Sequence, residues 1–249
     1  MRPKLKFKNF IKSGLLPGFF LCTQFVYTQS YWSVKVGRDL PLMAGSGLVF
    51  GTGMYFQSLV KPYSAVDLSN LKTSQVPKFD RIACSQWDLN AGYASDGLAI
   101  SSVLLPLYFL TNKQSKSGFY PIANVSLQSL ALSQAIAGIT KLSKRDRPFL
   151  YNPEVPISEK LKQDARLSFF SAHTVTVSST CFSFALAHKT YLPNSKANPY
   201  ISAGAFLIPA LEGYLRVKAG KHFPSDVIVG YLVGMGSAYL MHRLYLKTN

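Results

Sequence analysis

The strongest constraint in this sequence is a series of long stretches that contain no Lys, Arg, Asp or Glu. Several of them reach the roughly 20 residues that a helix needs to cross the hydrocarbon core of a bilayer. Gly and Ser recur inside them, which suits close contact between helices in lipid. We therefore predict an all-α fold, a polytopic membrane helical bundle of about six transmembrane helices. The predicted spans are 40–60, 97–112, 117–140, 167–188, 198–216 and 226–243.

A soluble bundle is the alternative interpretation of these stretches. A single domain of 249 residues rarely surrounds six helices with protein on all sides. Charged residues make up 15% of the chain, against roughly 25% in a typical soluble domain. The net charge of +16 predicts anionic partners such as phosphate compounds, anionic lipid headgroups or nucleic acid. Nucleic acid would explain the charge but not the apolar stretches, so we expect a membrane bilayer as partner and no nucleic acid.

The N-terminal part differs from the rest in its charge. Five basic residues within the first twelve precede an apolar run, and we divide the chain into a basic N-terminal segment, 1–39, and a membrane-embedded domain, 40–249. The apolar stretch 13–34 has three open interpretations: a signal peptide, a further span or an interfacial helix. Three cysteines stand far apart without the spacing of metal ligands, and we expect no metal and no cofactor.

Two segments at helix ends carry polar groups suited to an anion. Basic residues follow the predicted helix 117–140 and end in Arg147-Pro148; alone, such a cluster is an ordinary interfacial anchor or topology signal. Ser171-Ala172-His173 opens the next apolar stretch, where free backbone N–H groups and the helix dipole attract anions. A histidine at that point can deliver a proton to a leaving oxygen.

The third segment has the most specific spacing: five residues separate Arg216 from His222, and three separate His222 from Asp226. If Asp226 begins a helix just after Pro224, its carboxylate can hold one imidazole nitrogen of His222 and leave the other free to attack phosphorus. Arg216 offers a planar fork for phosphate oxygens. Glu212 precedes Arg216 by four positions on one helix face, and we predict that it orients Arg216.

These three segments together resemble the signature of the type 2 phosphatidic acid phosphatase family, KxxxxxxRP, PSGH and SRxxxxxHxxxD. The family shares a superfamily with bacterial non-specific acid phosphatases and vanadium haloperoxidases. The sequence departs from the signature at several positions. Seven residues before Arg147 stands Thr140, with Lys141 one residue nearer and Lys144 as a second candidate. Other family residues are replaced by Phe170, Ala172 and Leu215.

The resemblance implies a mechanism and a set of roles. His222 would be the nucleophile, Asp226 would hold it, and His173 would protonate the leaving group and then activate water. Phosphate would be bound by Lys141, Arg147, Ser171, Ala172 and Arg216, with possible support from Lys144 and Glu212.

The implied function is metal-independent hydrolysis of a phosphomonoester or diphosphate on a membrane lipid through a phospho-histidine intermediate. Two alternatives remain open: a phosphate or headgroup transferase, and a catalytically silent membrane protein that binds phospholipid. Because all three motifs must share one side of the membrane, six spans place both termini on the other side. With the basic N-terminal segment in the cytoplasm, we expect a bacterial inner (plasma) membrane protein whose site faces the periplasm or the outside.

Overall fold

The computed structural model of the chain describes residues 31–246, and within that range it is helical throughout apart from turns and loops. Six long helices dominate, so the predicted all-α class is confirmed. Their bounds are Val36–Ser58 (α1), Leu89–Val103 (α2), Phe119–Thr140 (α3), Ala172–Tyr191 (α4), Asn198–Lys218 (α5) and Pro224–Tyr245 (α6). Short α-helices lie at Ala65–Ser69, Lys113–Lys116 and Ile157–Lys160. Short 3₁₀ helices lie at Thr73–Gln75, Arg81–Ser85, Leu105–Leu110, Lys141–Ser143, Pro148–Tyr151 and Gln163–Arg166.

Successive long helices run in opposite directions, so the connections gather at two ends of the bundle. One end, called the site end below, carries the connections 59–88, 141–171 and 219–223. Gln163 ties two of these connections together by donating to the carbonyls of Gln57 and Val60 at 2.7 and 2.8 Å. The far end brings the start of the described chain against its last residues, through the antiparallel bridge between Trp32 and Leu246.

Helix α4 lies at the centre of the bundle and packs against α2, α3, α5 and α6. Its sequence is rich in Ser and Thr, and some of these hydroxyls bond to neighbouring helices. Ser178 donates to the carbonyl of Tyr231 at 2.7 Å, and Thr176 accepts from the Gln134 amide at 2.6 Å. A helix that is surrounded by protein need not be apolar, because its polar groups find partners within the bundle.

Two glycines let α6 approach the backbone of α4. A Cβ atom added to Gly230 would lie 2.8 Å from the carbonyl oxygen of Ser171, and one added to Gly234 would lie 2.6 Å from that of Val175. Their spacing of four residues is that of small residues in close helix–helix contacts. This contact fixes the start of α4 against the start of α6, where the predicted site residues lie.

Three segments among the described residues are long and apolar enough to cross a membrane by length and composition: Leu89–Leu110, Phe119–Tyr151 and Pro224–Tyr245. They overlap three of the six predicted spans. The other three predicted spans coincide with α1, α4 and α5, which are long helices but carry more polar residues. The six-span arrangement therefore stays a prediction, while the apolar helices are compatible with a membrane protein.

The second predicted span began too late in the sequence. The charge-free stretch starts at 97, whereas α2 begins at Leu89, because the side chain of Asp88 caps it by accepting from the N–H of Ala91 at 3.0 Å. Asp96 therefore lies within the helix, in its second turn. At the other end of the domain, the boundary predicted after residue 39 falls in the first turn of α1, and most of the stretch 13–34 lies outside the described residues.

Candidate active site

The predicted site residues come together at the site end, where α2, α4 and α6 begin and α3 and α5 end. The placement of His222 follows from how α5 terminates. Gly220 has a positive φ of 68°, and the N–H of His222 donates to the carbonyl of Arg216 at 3.3 Å. The chain thus folds back on the last turn of α5. A side chain at Gly220 would collide with the carbonyl of Gln86. This turn is the structural reason for the spacing between Arg216 and His222.

His222 is buried, and a guanidinium faces it. Nη1 of Arg147 lies 3.4 Å from Nε2 of His222. Arg147 is itself held by the carbonyl of Lys221 at 3.0 Å and by the Asp164 carboxylate at 2.7 Å. Burial, and then the charges of Arg147 and Arg216, hold the pKa of His222 well below its ordinary value. The imidazole is therefore neutral at pH 7. The lone pair on its Nε2 faces Nη1 of Arg147, which can only donate a hydrogen bond.

Asp226 lies in the first turn of α6, as the sequence predicted, but its oxygens are already occupied. Oδ1 accepts from Arg145 at 2.6 Å, and Oδ2 accepts from the Ser168 hydroxyl at 2.5 Å and the N–H of Phe223 at 2.9 Å. Nδ1 of His222 is 3.6 Å from Oδ2, beyond hydrogen-bond range. The two residues are neighbours, but the predicted hydrogen bond between them is not formed.

Arg145 was given no individual role by the sequence, because it looked like one more cation in a basic cluster. The structure makes it the partner of two buried carboxylates: it donates to Asp226 and, through Nη2, to Asp80 at 2.6 Å. Asp80 in turn accepts from the N–H of Ser225 at 3.0 Å. This network ties the basic cluster to the start of α6.

His173 and Arg216 share a carboxylate that the sequence reasoning missed. Oδ1 of Asp96 lies 3.0 Å from Nε2 of His173 and 3.0 Å from Nη1 of Arg216. Ser171 places His173 by capping α4, since its hydroxyl accepts from the N–H of Thr174 at 3.2 Å. Asp96 bounded an apolar stretch in the sequence, and nothing there showed which way its side chain would face.

Glu212 does not contact Arg216 directly. The Ser95 hydroxyl stands between them, donating to Oε1 of Glu212 at 2.7 Å and accepting from Nη1 of Arg216 at 3.1 Å. Glu212 is fully buried. Glu212, predicted to orient Arg216, thus reaches it only through Ser95, because Arg216 extends toward α2 rather than along its own helix.

A model of the PAP2 superfamily matches residues 123–249, slightly more than half of the chain and all three motif segments. The chain belongs to the PAP2 superfamily. This confirms the resemblance at superfamily level and supports a phosphatase-type activity. No curated protein and no solved structure matches the chain. The match begins in α3, so Ser95 and Asp96 lie outside it.

The structure separates the two candidates for the PAP2 lysine. Helix α3 ends at Thr140, and Lys141 begins the short 3₁₀ helix that follows. The Lys141 ammonium donates to the carbonyl of Leu167 at 2.7 Å, in the loop that leads to α4. Lys144 has a left-handed backbone with φ of 53° and is exposed. Lys141 therefore faces the interior of the site end, and Lys144 faces away from it.

The second PAP2 motif is only partly available for an anion. The N–H of Ser171 donates to the carbonyl of Asp226 at 3.2 Å, so it is occupied, while Ala172 is the first residue of α4. The predicted contact from the Ser171 N–H to phosphate is therefore not supported by the arrangement. Among residues 31–246, no group of three or more His, Cys, Asp or Glu is arranged to hold a metal ion.

Proposed function

We propose that this PAP2 protein hydrolyses a phosphomonoester or diphosphate on a membrane lipid, through a phospho-histidine on His222 and without a metal. The observation that carries the proposal is the buried, neutral imidazole of His222 with its Nε2 3.4 Å from the Arg147 guanidinium. A phosphoryl group bonded to that nitrogen would have its oxygens beside a fixed cation. Phosphoryl transfer depends mainly on such positioning and charge neutralisation.

The first chemical step forms the bond between Nε2 of His222 and phosphorus and breaks the bond to the leaving oxygen. His173 gives its proton to that oxygen, which departs as an alcohol or a phosphate. Arg147 and Arg216 neutralise the equatorial oxygens, and both side chains are buried, which strengthens their interaction with an anion.

The second step hydrolyses the phospho-histidine. The now neutral His173 takes a proton from water as the water oxygen bonds to phosphorus, and the bond between phosphorus and Nε2 breaks. Inorganic phosphate leaves, and His222 returns to its neutral form. Asp226 stays in place throughout, because Arg145 and Ser168 hold its oxygens.

The surface of the bundle supports a substrate in a bilayer. Large apolar side chains on five of the long helices are more than half exposed, among them Leu48, Ile100, Leu127, Leu207 and Leu232. The central helix α4 contributes none of the exposed large apolar side chains of the described residues. Apolar surface of this extent marks contact with lipid or protein. We infer a six-span bundle whose site end lies at headgroup level, where a lipid phosphate can reach His222.

We infer the side of the membrane from the charge of the N-terminal segment. The basic N-terminal segment favours the cytoplasm, and six spans then put the site end on the opposite face. For a bacterial inner membrane this is the periplasmic or outer side.

The test is phosphate release from a panel of lipids by the purified protein: phosphatidic acid, phosphatidylglycerol phosphate, undecaprenyl diphosphate and lipid A phosphates. We expect release from at least one, lost in His222→Asn and kept in His242→Asn, a change at the far end of α6. Labelled substrate should leave phosphate on the wild-type protein and none on His222→Asn. Binding without release would favour the silent phospholipid binder, and transfer to an added alcohol would favour a transferase.

A further inference from the structure

Asp96 occupies a position that the PAP2 motifs do not account for. Its Oδ1 is 3.0 Å from both Nε2 of His173 and Nη1 of Arg216, and its side chain is 52% exposed, so it stands at the mouth of the site. Arg216 has a second partner in Ser95. Within the structure as described, Asp96 is the carboxylate that pairs with His173. The question is what a carboxylate does beside the group that must give up a proton.

We propose that Asp96 is a positioning residue that forms a His–Asp dyad with His173 and keeps it ready to act as the general acid. The carboxylate accepts from Nε2–H of His173, fixes the orientation of the ring, and leaves Nδ1–H to donate to the leaving oxygen. The inference rests on the proposed function, because it assigns a role within the same reaction.

The charges around His173 make such a partner necessary. Arg216 bonds to the same Asp96 oxygen as His173, and a positive charge so close to the ring disfavours a proton on the imidazole. A carboxylate in contact with the ring offsets that repulsion and favours the imidazolium, which is the form that a general acid needs before the bond to the leaving oxygen breaks. The same carboxylate also contacts Arg216, which has a second partner in Ser95.

The fold explains how Asp96 reaches this place. The Asp88 cap starts α2 two turns before Asp96, at the site end. Consecutive helical residues diverge by about 100°, so Ser95 bonds to the buried Glu212 while Asp96 faces His173. Helix α2 also packs against both α4 and α5, which carry the two partners of Asp96.

A different role is consistent with the same contacts and must be separated by experiment. A carboxylate oxygen between an arginine and a histidine occupies a place that a phosphate oxygen could take. If Asp96 only filled that place in the absence of substrate, its removal would improve phosphate binding and leave the chemistry intact.

The leaving group distinguishes the two roles. p-Nitrophenolate departs without a proton, whereas an alkoxide requires one, so loss of general-acid catalysis slows formation of the phospho-histidine only from the alkyl phosphate. The ratio kcat/KM reports that step, whereas kcat also contains the hydrolysis of the phospho-histidine, in which His173 acts on both substrates. For Asp96→Asn we expect kcat/KM on a short-chain alkyl phosphate to fall by about 100-fold and kcat/KM on p-nitrophenyl phosphate to change by less than about threefold. The alkaline limb of the kcat/KM profile on the alkyl phosphate should move to lower pH. Asp96→Glu should restore part of the rate.

Asp88→Asn is the matched control, since it changes a carboxylate on the same helix and asparagine keeps the cap; both rates should stay at the wild-type level. An equal loss on both substrates would mean that Asp96 acts through Arg216 or through folding, and would overturn the proposal. Tighter inhibition by inorganic phosphate with unchanged kcat would show that Asp96 only fills the place of a phosphate oxygen. That result would overturn the proposal as well. A wild-type protein that hydrolyses neither substrate would overturn the proposed function itself.

Discussion

Arg145 donates to Asp226 at 2.6 Å, so the carboxylate expected to hold His222, the proposed nucleophile, is itself held by a cation from the first motif segment. This contact joins residues 81 positions apart and is completed by Asp80 on the other side of the guanidinium. Its effect is to fix the Asp226 carboxylate beside His222 without a hydrogen bond between the two side chains. The contact makes Arg145 part of the framework of the site.

Replacing Arg145 should therefore cost stability as well as activity. Arg145→Gln leaves two buried carboxylates without their cation, and breaking a buried pair in this way costs about 3–5 kcal/mol. Thermal unfolding of the detergent-solubilised protein should show a clear fall in Tm. Lys144→Gln, one residue earlier and exposed, is the control and should unfold at the wild-type temperature. Equal Tm values for the two variants would show that the contacts of Arg145 with Asp80 and Asp226 do not contribute to stability.

The two lysines of the first motif segment should differ in their effect on turnover. A cation that contacts phosphate in a partly dry site contributes about 2–4 kcal/mol in the transition state, whereas a surface cation contributes little. Lys141→Ala should slow turnover by about 30- to 1,000-fold, and Lys144→Ala by less than about threefold. Steady-state kinetics on one lipid phosphate measures both. A larger loss in Lys144→Ala than in Lys141→Ala would assign phosphate binding to Lys144.

The neutral state of His222 predicts how stability depends on pH. Its pKa is lowered in the folded protein by burial and by Arg147, while the unfolded chain has the ordinary value of about 6.5. Below that value the unfolded state binds a proton that the folded state does not, so folding stability falls as the pH falls. The wild-type Tm should therefore drop more between pH 7.5 and 5 than that of His222→Gln. Parallel curves for the two proteins would contradict the lowered pKa.

Gly220 should be intolerant of a side chain. Its φ of 68° and the approach of the Gln86 carbonyl both oppose a Cβ atom. Gly220→Ala should lose about 1–3 kcal/mol from the backbone conformation alone, and activity should fall because His222 moves with the turn. Gly236→Ala is the control, because a Cβ there has nothing within 4 Å and the residue lies inside α6. That variant should be unchanged or slightly more stable.

Chelation and vanadate test the metal-free mechanism together. Activity should be unchanged after dialysis against EDTA, since the proposed steps use only histidines and cations of the chain. Vanadate should inhibit by forming a five-coordinate adduct in the same cationic pocket. Loss of activity in EDTA that is restored by a divalent ion would require a different mechanism.

Much of this protein was predictable from residue order. Helical class follows from the length and apolarity of local stretches, and the link between Arg216 and His222 follows from a helix end with a glycine in the next turn. The match to residues 123–249 then confirmed the family resemblance at superfamily level. The sequence was less informative about the number of membrane spans. Helix α4 lacks charged residues over most of its length and was therefore predicted to cross the membrane, but its many Ser and Thr residues keep it below the apolarity of the three candidate spans.

The sequence by itself determined which candidate nucleophile, acid and cations are present, because residue types at fixed spacing can be recognised within each of the three motif segments. Only the tertiary structure decided which carboxylate serves which group. Asp226 is bonded to Arg145 rather than to His222, and Asp96 pairs with His173 and Arg216. Pairs separated by about eighty residues or more depend on how α2 and α6 pack against α4, and that packing depends on burial and backbone contact at positions such as Gly230. No local pattern contains that information.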